Sequence, residues 1–383
     1  MSGFVDGQVD PAFRAVRDVF EASFADGRNA GAAVAVFVDG RPVVDLWGGL
    51  ADTRANRPWL RDTPVVTYSC TKGVTATAAL LVAHERGIGL DDPVTDWWPE
   101  YGVGGKDSTT LADLLTHRAG LPVFERAVSV ADAADQRAMA ARLAEQHPVW
   151  QPGTRHGYHA LTFGWLLGEF VRRHTGFTVG EYVRRNFGEQ LWIGAPPEIA
   201  EQAARVGAPP AADQAWTDPA PISAATAAEM ARAFQDPRSL ALRASTNPLG
   251  SYNSPEVLAG GWPSTGLVTT ARALARFYAD LAAGDLLPPD VLADAVHERV
   301  RGRDAVLTLE SAFGLGYMLP SENMILPEAA RPTAFGHPGA GGAIGLGDTA
   351  NRLAIAFTPN LRRDWVSGDR RAYDLIDAAY GAL

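Results

Sequence analysis

Ser69 and Lys72 stand three residues apart in Tyr68-Ser69-Cys70-Thr71-Lys72-Gly73, at the head of an alanine-rich stretch that stops at Gly87. Positions i and i+3 of a helix share one face, so the hydroxyl and the amine can meet. A serine at a helix N-terminus also sits among free backbone N–H groups, in a field that favours negative charge. Those are the surroundings an alkoxide and an oxyanion need. Lysine acts as a base once burial or a neighbouring cation lowers its pKa, whereas arginine effectively never deprotonates. The distinction matters because, of 34 Lys and Arg residues, only Lys72 and Lys106 are lysine. A chain that uses arginine for generic positive charge keeps a lysine at 72. The blander reading, an N-cap serine followed by a surface lysine, fits this scarcity less well. Lys106, in Gly104-Gly105-Lys106-Asp107, reads as a solvated turn residue. It is not a phosphate loop, since no glycine stands five residues before Gly105 and Asp107 takes the Ser/Thr place.

A serine–lysine pair needs a proton shuttle to the leaving group and a second oxyanion donor. Tyr158 follows the turn Pro152-Gly153-Thr154 and precedes a helical run at 162–173. A phenol close to Lys72 in its ammonium form would have a lowered pKa and serve as general base; otherwise it is a packing aromatic. Phe335-Gly336-His337-Pro338-Gly339-Ala340-Gly341-Gly342 is a glycine-rich strand edge, which lets backbone N–H groups approach a ligand closely.

The elements that must position these groups follow from periodicity. Residues 11–24 have helical spacing. Residues 31–38 and 42–47 are apolar, β-branched runs joined by Asp39-Gly40, a hairpin. Residues 69–86 are helical. From about 92 to 298 the chain is alanine- and leucine-rich and mostly helical. Strand-like runs return at 313–319, 341–346 and 353–358, and a last helix covers 371–383. The expected architecture is an α/β (α+β) domain with an antiparallel sheet and helices from both termini, residues 1–91 and 299–383. A mainly helical domain, 92–298, is inserted, with the active site in the cleft between them.

In this order and spacing, Ser69-Cys70-Thr71-Lys72, Tyr158 and His337-Pro338-Gly339 resemble the three motifs of class C β-lactamases and their relatives. Those relatives include D,D-peptidases, D-aminopeptidases, family VIII carboxylesterases and class-C-like acyltransferases. Thr110–Pro122, Trp262–Arg272 and Phe313-Gly314-Leu315-Gly316-Tyr317 fit the same family, and the resemblance covers roughly residues 10 to 383. It implies a β-lactamase/D,D-peptidase-like fold. Ser69 is then the acyl-forming nucleophile, Lys72 its activator, Tyr158 the general base or shuttle, and the backbone N–H groups of Ser69 and Ala340 the oxyanion hole. His337 and Gly339 would contact substrate, His337 alternatively Tyr158 or mere packing. Tyr158-His159-Ala160 lacks the family's second-motif asparagine, and His337-Pro338 replaces a lysine and threonine that help bind a substrate carboxylate. The resemblance therefore implies a carboxylesterase on small esters, or an acyltransferase on the same scaffold. A β-lactamase, a D-amino peptidase and a non-catalytic binding protein rank lower.

Composition narrows the field further. The net charge of 34 − 44 = −10 argues against nucleic acid as partner. The single cysteine, Cys70, excludes a disulfide framework and a multi-cysteine zinc site. No H-E-x-x-H spacing occurs among His84, His147, His174 and His297, and His117 reads as buried and structural. No metal or other cofactor is expected. The N-terminal residues read as a cytoplasmic start, with no membrane span and no obligatory protein partner. No serine has G-x-S-x-G spacing, Ser264 coming nearest, and Gly345-Leu346-Gly347-Asp348-Thr349-Ala350 reads as a hairpin turn rather than a nucleotide loop. The ten tryptophans point to an apolar cleft or to core packing.

Overall fold

The computed structural model describes residues 5–208, 222–363 and 369–383. The N-terminal part supplies β1 (Val5–Val9), β2 (Gly31–Val38), β3 (Arg41–Asp52) and the short β4 (Arg57–Pro58). Three small strands follow, β5 (Val65–Val66), β6 (Trp192–Ile193) and β7 (Leu267–Thr269). The C-terminal part adds β8 (Val300–Arg303), β9 (Glu310–Phe313), β10 (Met318–Leu319), β11 (Ala334–Pro338), β12 (Ile344–Asp348) and β13 (Leu353–Pro359).

The main sheet is antiparallel, in the order β1-β3-β2-β13-β12-β11-β10-β9-β8, with β4 on β3. The β2–β13 pairing, from Leu353↔Val38 to Pro359↔Ala32, joins the two ends of the chain. Successive side chains on a strand point to opposite faces. Val34, Val36, Ile355 and Phe357 accordingly pack with the terminal helices Arg14–Ala25 and Arg370–Tyr380. Ala33, Ala35, Ala354 and Ala356 face the opposite way, towards the helices Cys70–Arg86 and Ala271–Ala283. Alanine there lets helices come close, and Gly345 carries the principle further: a Cβ on it would lie 2.5 Å from the Tyr278 ring. Helix Ala271–Ala283 lies inside the stretch expected to be part of the helical insert, yet it packs across β2, β12 and β13. Among the described residues no helix is long and apolar enough to cross a membrane.

Two expectations are corrected. Residues 313–319 are not one strand: β9 ends at Phe313 and β10 begins at Met318. Gly316 between them has φ +81°, and a Cβ would meet that of Ala76 at 2.2 Å. The chain must turn there to clear the Ser69 helix. Lys106 is not solvated either. Gly104 and Gly105 do form a turn, with φ +79° and +84°, but the lysine is fully buried. Its ammonium donates to Val103 O, to Ala144 O at 3.0 Å and to Gln146 O at 2.6 Å. The helix Gln136–Glu145 ends against this residue, and its buried terminal carbonyls need a cation with several donors. The short sheet β5-β7-β6 was also invisible to periodicity. It fixes the entry to the Ser69 helix, pairing Val65 with Thr269 and Val66 with Val268.

Candidate active site

Helix Cys70–Arg86 starts directly after Ser69, whose side chain makes no capping bond. The serine hydroxyl is therefore free for other work. Tyr68, just before it, has φ +48°, a left-handed conformation that is uncommon for a bulky residue and costs strain. Thr71 Oγ1 holds that turn by donating to Tyr68 O at 2.5 Å and accepting from Leu267 N–H at 2.9 Å.

Lys72 is completely buried. Its Nζ lies 3.3 Å from Ser69 Oγ, 2.7 Å from Ala160 O and 3.2 Å from Ser264 O. Burial drives its pKa well below the ordinary lysine value. A neutral amine has two N–H donors and one lone pair. In that form the two carbonyls would take the donors and leave the lone pair for the serine O–H. The carbonyl acceptors are themselves fixed. Ser264 Oγ donates to Leu161 O and accepts from Gly164 N–H, both at 2.7 Å. A Cβ on Gly164 would lie 2.3 Å from the Pro263 carbonyl carbon, so only glycine allows this approach.

Tyr158 is buried beside the pair, with Lys72 Nζ 4.8 Å from its ring centroid. The expectation that lysine would lower the phenol's pKa is not met. Burial pushes it up, and the nearby Ser69 hydroxyl pulls it back only in part. Burial disfavours the charged form of both groups, the ammonium as well as the phenolate. His337 donates from Nδ1 to Pro338 O at 2.7 Å, which leaves the Nε2 lone pair 3.5 Å from the Tyr158 hydroxyl.

Asp304 went unnoticed in the sequence. It is buried, and its carboxylate accepts from the N–H of Tyr158 at 3.0 and 3.1 Å. It accepts further from Val306 N–H, Leu307 N–H and Ser311 Oγ at 2.8 to 3.0 Å. Its local part is readable as an aspartate turn, but the reach to Tyr158 spans 146 positions and leaves no sequence signal. His156 bonds Ser311 Oγ at 3.0 Å, extending the network.

The loop after β11 brings Ala340 to the same site. Gly339 is required there, because a Cβ would lie 2.2 Å from Thr67 O. Buried Arg371, paired with Asp369 at 2.6 Å, donates to Gly341 O at 2.9 Å and so holds the residue next to Ala340. Ser69, Tyr158, His337, Gly339 and Ala340 all line one cavity of ≈ 630 Å³. Its apolar wall comes from Tyr68, Tyr252, Phe234, Leu242 and Leu307. Among the described residues no tryptophan lines it. Trp98, Trp165 and Trp262 are fully buried side chains of the core.

Around Tyr158 the imidazoles are buried and neutral. His117 accepts at Nδ1 from His159 N–H at 3.1 Å, and His159 Nε2 accepts from Leu121 N–H at 2.9 Å. Burial holds His159 and His337 down to about 3 and His117 well below its ordinary 6.5. Between pH 6.5 and about 3 the unfolded chain binds these protons while the folded chain does not. Stability is therefore present above pH 6.5 and lost on acidification towards 3. Each such histidine contributes up to about 1.4 kcal/mol per pH unit. Urea midpoints measured at about pH 7.5 and about pH 4.5 should fall at the lower value; a flat profile would contradict neutral burial.

Comparison with known proteins places this geometry. The profile of the beta-lactamase family matches residues 16–380. The chain is 33% identical over 373 residues to the esterase/beta-lactamase LipL of Mycobacterium tuberculosis, covering 93% of this chain and 83% of that protein. Among solved structures it is similar to a family VIII carboxylesterase, at 31% identity and a TM-score of 0.87, covering 99% of this chain and all of that one. A penicillin-binding protein homologue from Caulobacter crescentus is similar at 34% identity and a TM-score of 0.84, over 99% and 100% of the two chains. With this fold and these relatives, the chain belongs to the beta-lactamase family of serine hydrolases.

Proposed function

We propose that the protein is a carboxylesterase working through an acyl-enzyme on Ser69. One observation carries the reading: the Nζ of buried Lys72 lies 3.3 Å from Ser69 Oγ and within 2.7 and 3.2 Å of two backbone carbonyls, which in the neutral amine would take both N–H donors and leave the lone pair for the serine. Ser69 Oγ attacks the ester carbon as its proton passes to Lys72 Nζ. The resulting oxyanion sits against the N–H groups of Ser69 and Ala340. The ester C–O bond then breaks, Tyr158 gives its proton to the departing alkoxide, and the Lys72 ammonium restores it. Water repeats the sequence on the acyl-enzyme, releasing the acid and freeing the serine. Asp304 and His337 orient Tyr158, while Gly339 and Arg371 set the loop that carries Ala340. Two lobes divided at about residues 91 and 299, with the cleft between them, belong to the same proposal.

The apolar wall accommodates a hydrocarbon acyl group, with Arg362 and Arg363 also lining the cavity. The cavity also leaves space beside a small acyl group for an acceptor, so acyl transfer to an amine or alcohol is the second reading. Treatment with a fluorophosphonate probe is expected to add one adduct per chain, mapped by mass spectrometry to the peptide containing Ser69. An adduct elsewhere, or none, would sink the assignment. Product analysis with an added amine separates transfer from hydrolysis.

A further inference from the structure

Asn323 stands out against the site just described. It lies in a tight turn in which Ser321 and Met324 exchange backbone hydrogen bonds at 3.1 and 3.2 Å. Its own N–H donates to Glu310 O at 3.1 Å, and Glu322 Oε2 accepts from Glu310 N–H at 2.9 Å. The turn is thus pinned to β9 from two sides, which fixes where the Asn323 side chain is presented.

The residue is 2% exposed and forms part of the wall of the cavity that holds Ser69. Asparagine in a turn commonly bonds its own neighbouring backbone. Among the described residues Asn323 Nδ2 has no hydrogen-bond partner. An amide taken from water without a partner is unfavourable, and such groups in native proteins call for an account. A ligand that fills the cavity and draws the carboxamide towards it supplies one.

We infer that Asn323 is a substrate-recognition residue, its carboxamide pairing with an amide group that the ester carries away from its scissile bond. The inference rests on the hydrolase reading and names its substrate class: amide-bearing esters rather than purely hydrocarbon ones. The carboxamide is both donor and acceptor, so an amide, which also offers both, matches it better than an ether or a halide. A carboxylate would satisfy Nδ2 but leave Oδ1 without a donor. Ala160, in the same cavity wall, offers only a backbone carbonyl, already given to Lys72.

Two pairs of esters test this. On the acyl side, 4-nitrophenyl N-acetylglycinate is compared with 4-nitrophenyl pentanoate. On the alcohol side, the butanoate of N-(2-hydroxyethyl)acetamide is compared with pentyl butanoate. For Asn323→Leu, kcat/KM on at least one amide ester is expected to fall roughly 5- to 100-fold relative to its hydrocarbon partner. The responding pair tells which side Asn323 serves. The melting temperature should not drop, since leucine removes an unpaired polar group. Should the leucine variant fail to fold, Asn323→Ser reads the same ratio. Equal losses on both members of each pair, or no loss, would overturn the recognition role while leaving the hydrolase reading intact. No turnover of any of the four esters by the wild-type protein would overturn both.

Discussion

A Lys72→Arg enzyme is expected to lose ester hydrolysis by a factor on the order of 10⁴ or more, as completely as Ser69→Ala. The substitution keeps a positive charge and hydrogen-bond donors, so a purely electrostatic or structural lysine would tolerate it in part. Proton transfer would not. A guanidinium stays protonated at any pH the protein survives. Ser69 Oγ would then face a donor instead of the lone pair that the two carbonyls leave to a neutral amine. Because the two residues act as one unit, the double variant should be no slower than either single variant. The pH profile carries the same information. Wild-type activity should fall on acidification, as the amine gains its proton through a pKa that burial has lowered. The arginine variant should lack that limb in whatever activity remains. The checks are kcat/KM for 4-nitrophenyl acetate across pH and the rate of fluorophosphonate labelling. More than a tenth of wild-type activity in Lys72→Arg would mean that Ser69 is activated by something else.

Lys72 was legible because its type, its spacing from Ser69 and its rarity pointed the same way. The hairpin around Asp39-Gly40 and the helix stopping at Gly87 were legible too. Each is decided by local chemistry: positive φ at 39 and 40, and a left-handed glycine at 87. Lys106 was not. Nothing in Gly104-Gly105-Lys106-Asp107 says that a helix ending forty residues later brings its last carbonyls there. The direction of the Tyr158 shift failed for a related reason. It depends on the charge of Lys72, and that charge depends on how completely both are buried. Asp304, Arg371 and Asn323 each matter through contacts or an absence of contacts set by distant segments, which periodicity does not report. What could be read was the meeting of Ser69 and Lys72 at the proposed site. What could not be read was the shell that orients it and selects among substrates.

Tyr158→Phe removes one oxygen and keeps the ring that packs against His117 at 5.0 Å and Phe313 at 6.3 Å between centroids. The backbone contact to Asp304 is untouched, so the fold should survive. For esters of simple alcohols, kcat/KM is expected to fall roughly 10² to 10⁴-fold. For 4-nitrophenyl esters the loss in acylation should be much smaller. A nitrophenolate departs without a proton, whereas an alkoxide needs one. The contrast separates a phenol that protonates the leaving group from one that takes the serine proton, because the second role would slow both ester types alike. The first of these roles is the one proposed above, in keeping with the raised pKa of the buried phenol. The measurement is the ratio of kcat/KM for an alkyl and a 4-nitrophenyl ester of one acid, in wild type and variant. Equal losses would return the base role to Tyr158 and leave Lys72 as its electrostatic support.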